Sequence, residues 1–386
     1  MNVWWMAAFA LWLGTIGLGT MGLGVGGALG ANPDIEAAAL FPAPEPRPDG
    51  RVLRIMSATD LVAFKPLLLA FQDRHRDVSV IYSEYNSSQL LFEHMSLLCA
   101  GKPSPAALPD LVLSSAMNLQ VELVNAGCAQ SHVAPPELPD WAKWRNELFG
   151  LTMEPVVFAY RKSAFAHQAD VPQDRFALLD ALRRDARRLN RRVGTYDIGS
   201  SGTGYLLAAS DSQQATTFGR MMEGLARAGV RLACCTSVIL DGLSSGELAL
   251  GYNVLGSYAL ERARHDPEIG IVFPSDYTLV FSRAAFIPKI APSPDLAHKF
   301  MDFTFSPHGR QIMRDQSSMT SPMDGEAALR QLYAVPQDQP LKLRPIELTS
   351  VLLVGLDDLK RRRLLREWNA AMHDLAPPAQ NGEGRP

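Results

Sequence analysis

Residues 192–205 read RVGTYDIGSSGTGY and lead straight into the helix-like stretch YLLAASDSQQA. Glycines and hydroxyl side chains ahead of a helix suit an anion. The first N–H groups of a helix lack intrahelical partners and carry partial positive charge, glycine lets the backbone approach, and Ser or Thr adds donors. Three catalytic loops of similar composition do not fit. A nucleotide-hydrolysing loop reads GxxxxGK[ST], and no lysine is present here. The order of Gly199, Gly202 and Gly204 is wrong for the dinucleotide fingerprint GxGxxG, and Gly199-Ser200-Ser201-Gly202 does not center a serine as GxSxG requires. Two readings remain: a non-catalytic anion site contacted by Ser200, Ser201, Thr203 and Gly204, or an ordinary N-cap and turn.

Other polar residues stand where strands end or inside apolar passages. Ser57 and Thr59 follow the run VLRIM, and Ser114 and Ser115 follow DLVL. Each is placed either to cap its own helix or to face a ligand. Glu154 sits inside LTMEPVVF. A buried carboxylate needs a partner, here ligand hydroxyls or a structural arginine. Tyr196 and Asp197 close one strand, and Tyr252 and Asn253 lie in another. Asp276 and Tyr277 are secondary candidates. The histidines are scattered, with no HExxH or HxH pair, and neither catalytic triad nor metal cluster is visible, so the chain reads as non-enzymatic, without metal or cofactor. The runs RRDARRLNRR and KRRRLLREW read as solvated helix faces.

The elements that must position these residues alternate. Residues 52–58 form a short apolar run fit for a buried strand, and Leu61, Phe64, Leu68 and Phe71 recur at helical spacing after it. VSVIYSEY is strand-like, SSQLLFEHMSLLCAG helix-like, PDLVLSSA strand-like, and MNLQVELVNAGC helix-like. This β-α-β-α-β-α order predicts a mostly parallel sheet with ligands beyond its strand ends. FGLTMEPVVFAYRK is a strand that leaves this domain, RRVGTYDI opens a new βα unit, and the apolar passage IGIVFPSDYTLVFSRAAFIPKIAP returns. The expected organisation is a first lobe over 51–150, a second lobe over 151–280, and a return to the first lobe with C-terminal helices over 281–374. A disordered tail over 375–386 follows. Two lobes so connected close on a ligand by hinge motion.

At 386 residues, with 47% hydrophobic and 20% charged residues and a net charge of -3, the chain is globular and lacks the basic excess of a nucleic-acid binder. Residues 3–31 carry no charge. Such a run is compatible with an export signal cleaved before Ala31 or with an uncleaved anchor. Either places the bulk of the chain in the periplasm. Residues 32–50, rich in proline, read as an extended spacer. Of the four cysteines, Cys99 and Cys128 are compatible with a disulfide or with buried free thiols. Cys234 and Cys235 are adjacent, which disulfide geometry disfavours.

Taken together, SATDLVAFKPLLLAFQDRHRDVSVIYSEYNSSQL, LPDLVLSSAMNLQVELVNAGCAQ, WRNELFGLTMEPVVFAY and DGLSSGELALGYNVLGSYA resemble the periplasmic solute-binding proteins of ABC importers, type II topology. The likeness spans residues 50–350. It is nearest to the ferric-iron-binding group and its relatives for phosphorylated small molecules, among them the phosphoglycerate transport regulatory protein. The resemblance implies an α/β, two-lobed, monomeric receptor for a small anionic solute, partnered by an ABC permease or by the sensor domain of a histidine kinase. Iron-binding members use two adjacent tyrosines. The matching place here is LGYNVLGSY, where Asn253 stands beside Tyr252, and an amide carbonyl does not replace a phenolate on ferric ion. The resemblance therefore favours a sugar phosphate or phosphoglycerate over iron.

Overall fold

A computed structural model of the chain describes residues 34–374, apart from 49, 104–106, 185 and 215. The apolar N-terminal run and the expected C-terminal tail lie outside the described residues.

Two sheets divide the fold. In the first, Val52–Ser57 is flanked by Ser79–Tyr85 and Leu111–Ser114, both parallel to it. Burial alternates along these strands. Leu53, Ile55, Leu111 and Leu113 enter one core, whereas Met56 and Val112 enter another on the opposite face. That period-two split is what a sheet covered on both sides requires. Helices Leu61–Arg74, Ser88–Cys99 and Met117–Asn125 follow the three strands in turn. In the second sheet, Arg231–Ala233, Val193–Tyr196 and Leu250–Leu255 run parallel, and Glu154–Arg161 pairs antiparallel with the last of them. Phe158 and Tyr160 point into a core of their own, against Leu178, Leu225 and Trp368.

The chain passes between the sheets twice, and the two passages lie side by side. Leu148–Gly150 belongs to the first sheet and Glu154–Arg161 to the second. Thr278–Phe281 belongs to the second and Ala284–Pro288 to the first. Glu154 pairs with Phe281, and Gly150 pairs with Ala284. Between them the Leu151 N–H donates to the Arg283 carbonyl (2.9 Å) and the Arg283 N–H to Thr152 Oγ1 (2.9 Å). Gly150 has to be glycine, because a Cβ there would sit 2.4 Å from Ser282 Oγ. Residues 151–153 and 282–283 are thus a double-stranded hinge.

Two expectations are corrected. The stretch 32–50, read as a spacer, contains the strand Ile35–Phe41, antiparallel to Ser79–Tyr85 at the edge of the first sheet. Its sequence IEAAALF has good strand formers only at Ile35 and Phe41, around three alanines, and no polar–apolar alternation, so burial alternates only once it pairs with Ser79–Tyr85. Cys234 and Cys235, expected to stay apart, are joined in a disulfide. Cys99 and Cys128, left open above, are also joined, with Cα atoms 5.4 Å apart. That bridge ties the end of the helix Ser88–Cys99 to a point three residues past the helix Met117–Asn125. For a separation of 29 residues, loop-closure entropy is worth about 3–4 kcal/mol.

Candidate ligand cleft

Helices begin where strands end, so the lobe-one helices Leu61–Arg74 and Ser88–Cys99 and the lobe-two helices Gly202–Gln214 and Thr236–Ser245 all start at one cleft. Its volume is about 560 Å³, within the range usual for small-molecule sites. Some N–H groups at these helix starts are used internally. Ser87 Oγ accepts from Leu90 (3.2 Å) and Ser201 Oγ from Gly204 (3.1 Å). Among the described residues, those of Ser88, Gly202, Thr203, Thr236 and Ser237 meet no acceptor, and all five residues line the cleft.

The lobes touch through hydroxyls. Thr203 Oγ1 lies 2.7 Å from Ser115 Oγ and 3.5 Å from Ser88 Oγ across the gap. The Asp60 N–H donates to the Tyr258 hydroxyl at 3.4 Å. Gly202 permits this approach: a Cβ on it would lie 3.1 Å from Leu119, 3.2 Å from Ser88 and 3.3 Å from Ala116, all of lobe one. Gly204 serves packing within lobe two, since its Cβ would meet that of Tyr196 at 2.4 Å.

The positions read from the sequence separate into three places. Ser115, Tyr196, Ser200, Ser201 and Thr203 line the cleft. Asp197 stands below the loop and organises it, accepting from the Gly199 N–H (2.9 Å) and the Ser200 hydroxyl (3.0 Å). Ser57, Thr59, Ser114 and Glu154 are buried behind the wall. Ser57 Oγ accepts from the Thr59 N–H and Ser114 Oγ from the Ala116 N–H, so each stabilises its own turn. Tyr252 and Asn253 are turned into lobe two. A register irregularity between Gly251 and Val254, with Asn253 at φ 59°, aims both side chains at Asp211. The Tyr252 hydroxyl donates to Asp211 Oδ2 at 2.7 Å and the Asn253 amide at 2.6 Å, while Arg175 bonds Asp211 Oδ1 at 3.1 Å. Asp276 and Tyr277 complete that network by accepting from Arg175.

Sequence reasoning did not single out Arg283, Tyr258, Glu84, Asp60 or Glu36, which also border the cleft. Arg283 forms the floor. Its Nε and Nη2 donate to the two Glu154 oxygens (2.8 and 3.1 Å), its Nη1 to Thr59 Oγ1 (2.8 Å), and its guanidinium lies 5.1 Å from the Tyr258 ring centroid. Burial alone would lower the Arg283 pKa, but the Glu154 carboxylate outweighs it and the net direction is upward. The legible signal was one arginine and one glutamate, each alone in an apolar passage. Glu84 is the unusual acid. Burial pushes it up to about 7, partly countered by the Leu61 N–H it accepts at 2.7 Å and reinforced by Asp60 and Glu36. The Tyr196 and Tyr258 hydroxyls are pushed well above ordinary phenols, first by burial, so both stay protonated.

Two sheets, a paired hinge and helix starts facing one cleft define a two-lobed periplasmic-binding-protein fold. The chain belongs to the family of bacterial extracellular solute-binding proteins, whose pattern matches residues 53–316. The substrate-binding protein of an ABC transporter from Agrobacterium tumefaciens is 33% identical, covering 88% of this chain and 100% of that one, with a TM-score of 0.79. AfuA from Actinobacillus pleuropneumoniae, with exogenous fructose-6-phosphate bound, shares the fold at 18% identity, 84% and 98% coverage and a TM-score of 0.63. Iron-bound HitA from Pseudomonas aeruginosa does so at 18% identity, 83% and 99% coverage and a TM-score of 0.61. A search of curated proteins finds no match. The chain is a solute-binding receptor of the ABC-transporter type.

Proposed function

We propose that this receptor works in the periplasm and captures a small phosphorylated sugar or phosphoglycerate-like anion for an ABC permease. The observation that carries the reading is the set of unsatisfied N–H groups from both lobes that line one cleft. Fixed N–H dipoles stabilise a phosphoryl group without a paired cation. The one arginine there is already committed to Glu154. Hydroxyls of Ser88, Ser115, Ser200 and Thr203 suit the oxygen-rich remainder of such a ligand. Capture between lobes is coupled to closure, because Gly202 and Thr203 meet lobe one only when the lobes are together.

Iron suits the cleft less well. Ferric ion favours anionic oxygen ligands, whereas Tyr252 faces Asp211 inside lobe two and an amide, Asn253, stands beside it. The test is a thermal-shift panel of fructose 6-phosphate, 3-phosphoglycerate, inorganic phosphate, citrate and ferric ion, since a ligand of the folded state raises Tm by mass action. A rise with a phosphorylated compound is expected. A rise with ferric ion alone would overturn the reading.

A further inference from the structure

The Cys234–Cys235 bridge has no account in fold stability. A disulfide stabilises mainly by closing a loop in the unfolded chain, and the gain grows with loop length. This one joins residues a single position apart, so it closes none. It ties no two elements together, and the helix after it packs through Ile239, Leu240 and Leu243 without help from the sulfurs. Its position is what distinguishes it. Both cysteines line the cleft, Cys234 is exposed, and the pair stands directly before Thr236 and Ser237.

Two physical consequences follow. The sulfurs put a polarizable, weakly hydrogen-bonding patch beside the N–H groups of Thr236 and Ser237, in a wall that carries Ala58, Leu61, Val62 and Leu255 as well as hydroxyls and carboxylates. Cys235 is also the N-cap of Thr236–Ser245 and makes no side-chain capping bond, unlike Ser87 at the start of its own helix. A Ser or Asp cap would accept from one of the first N–H groups. The disulfide-bound sulfur leaves them to the cleft, and the ring it closes fixes the turn that aims them. The Thr236 hydroxyl is held in the same place by the Tyr196 hydroxyl.

We infer that the Cys234–Cys235 disulfide is a ligand-contacting wall of the binding site, its sulfur face receiving the carbon skeleton of the solute whose anionic group sits on the neighbouring N–H groups. The inference rests on the anion reading above and adds a specificity element to it. A solute with a carbon skeleton gains from this wall; a bare inorganic anion does not.

The experiment compares fructose 6-phosphate with inorganic phosphate, titrated calorimetrically into the wild-type chain, C234S/C235S and C234A/C235A. Peptide mapping without reductant first establishes the bridge, and melting curves establish that the variants fold, as a bridge closing no loop predicts. In both variants fructose 6-phosphate is expected to bind roughly tenfold more weakly, a loss near 1.4 kcal/mol. In C234A/C235A, which brings no new cap, inorganic phosphate should change far less; in C234S/C235S the hydroxyl introduced at position 235 takes a helix N–H, so both probes should weaken. Equal weakening of the two probes in C234A/C235A, or none, overturns the contact, as does mapping that finds free thiols. If the wild-type chain binds neither probe, the ligand class proposed above fails and this inference goes with it. That result is distinct from a wild-type chain that binds while the variants match it.

Discussion

Removing the Glu154 carboxylate should damage the hinge more than any other single change of similar size. Glu154 and Arg283 side chains are each only 1% exposed, and together they join the two crossing segments at the floor of the cleft. In Glu154→Ala, Arg283 keeps Thr59 Oγ1 at 2.8 Å and Ser257 Oγ at 3.4 Å but loses both carboxylate oxygens, at 2.8 and 3.1 Å. A buried guanidinium without its counter-charge costs about 3–5 kcal/mol. At roughly 2.1 cal/mol/K of unfolding entropy per residue, a chain of 386 residues has an unfolding entropy of about 0.8 kcal/mol/K, so Tm should fall by about 4–6 °C. Removing both charges in Glu154→Leu with Arg283→Met should recover most of that loss, because replacing a buried pair by apolar groups is often near neutral. Scanning calorimetry of Glu154→Leu, Arg283→Met and the double variant gives the coupling directly. A Glu154→Ala protein melting within about 1 °C of wild type would refute the reasoning, since it would mean that water reaches the pair. A double variant no better than the single would refute it equally.

Other consequences are as direct. Ionisation of Glu84 near pH 7 puts a negative charge on the cleft wall, so affinity for a phosphorylated solute should fall as pH rises through 7 and the fall should be shallower in Glu84→Gln, read by titration at pH 5.5 to 8.5. Because its folded pKa is raised from 4.5, the same group contributes stability that is full below 4.5 and lost as pH climbs through 7. Gly202→Val should block the approach to Leu119, Ser88 and Ala116, weakening binding while leaving the ligand-free melt nearly unchanged. Asp211→Ala leaves Arg175 with Asp276 as its remaining counter-charge and strips acceptors from Tyr252, Tyr277 and Asn253 inside lobe two, so it should cost about 3–5 kcal/mol in chemical denaturation.

Much of the architecture was legible because each lobe is built from local βα units. Val52–Ser57 with Leu61–Arg74, and Leu111–Ser114 with Met117–Asn125, carry their strand and helix periods in adjacent residues. The small strand Ile35–Phe41 was not legible, as alanine takes either state and only pairing with Ser79–Tyr85 decides it. The loop at 199–204 announced an anion site by composition, yet its glycines prove to serve close approach, of the lobes at Gly202 and of Tyr196 at Gly204. Glu154 and Arg283 lie 129 residues apart, and nothing short of the hinge geometry joins them. Tyr252 and Asn253 end in a strand whose local irregularity turns them from the cleft toward Asp211, which no alternation pattern encodes. The vicinal disulfide was misjudged because ordinary disulfide geometry describes bridges between separate elements, not a tight ring at a helix start.

The central claim is that N–H groups of both lobes hold a phosphorylated solute in a cleft that closes. Calorimetric titration of fructose 6-phosphate and of ferric ion into the wild-type chain and Gly202→Val tests it most directly. The account predicts one-to-one binding of the sugar phosphate to wild type and a loss of roughly tenfold or more in the variant. Binding of ferric ion alone, or sugar-phosphate binding that Gly202→Val leaves untouched, would contradict it.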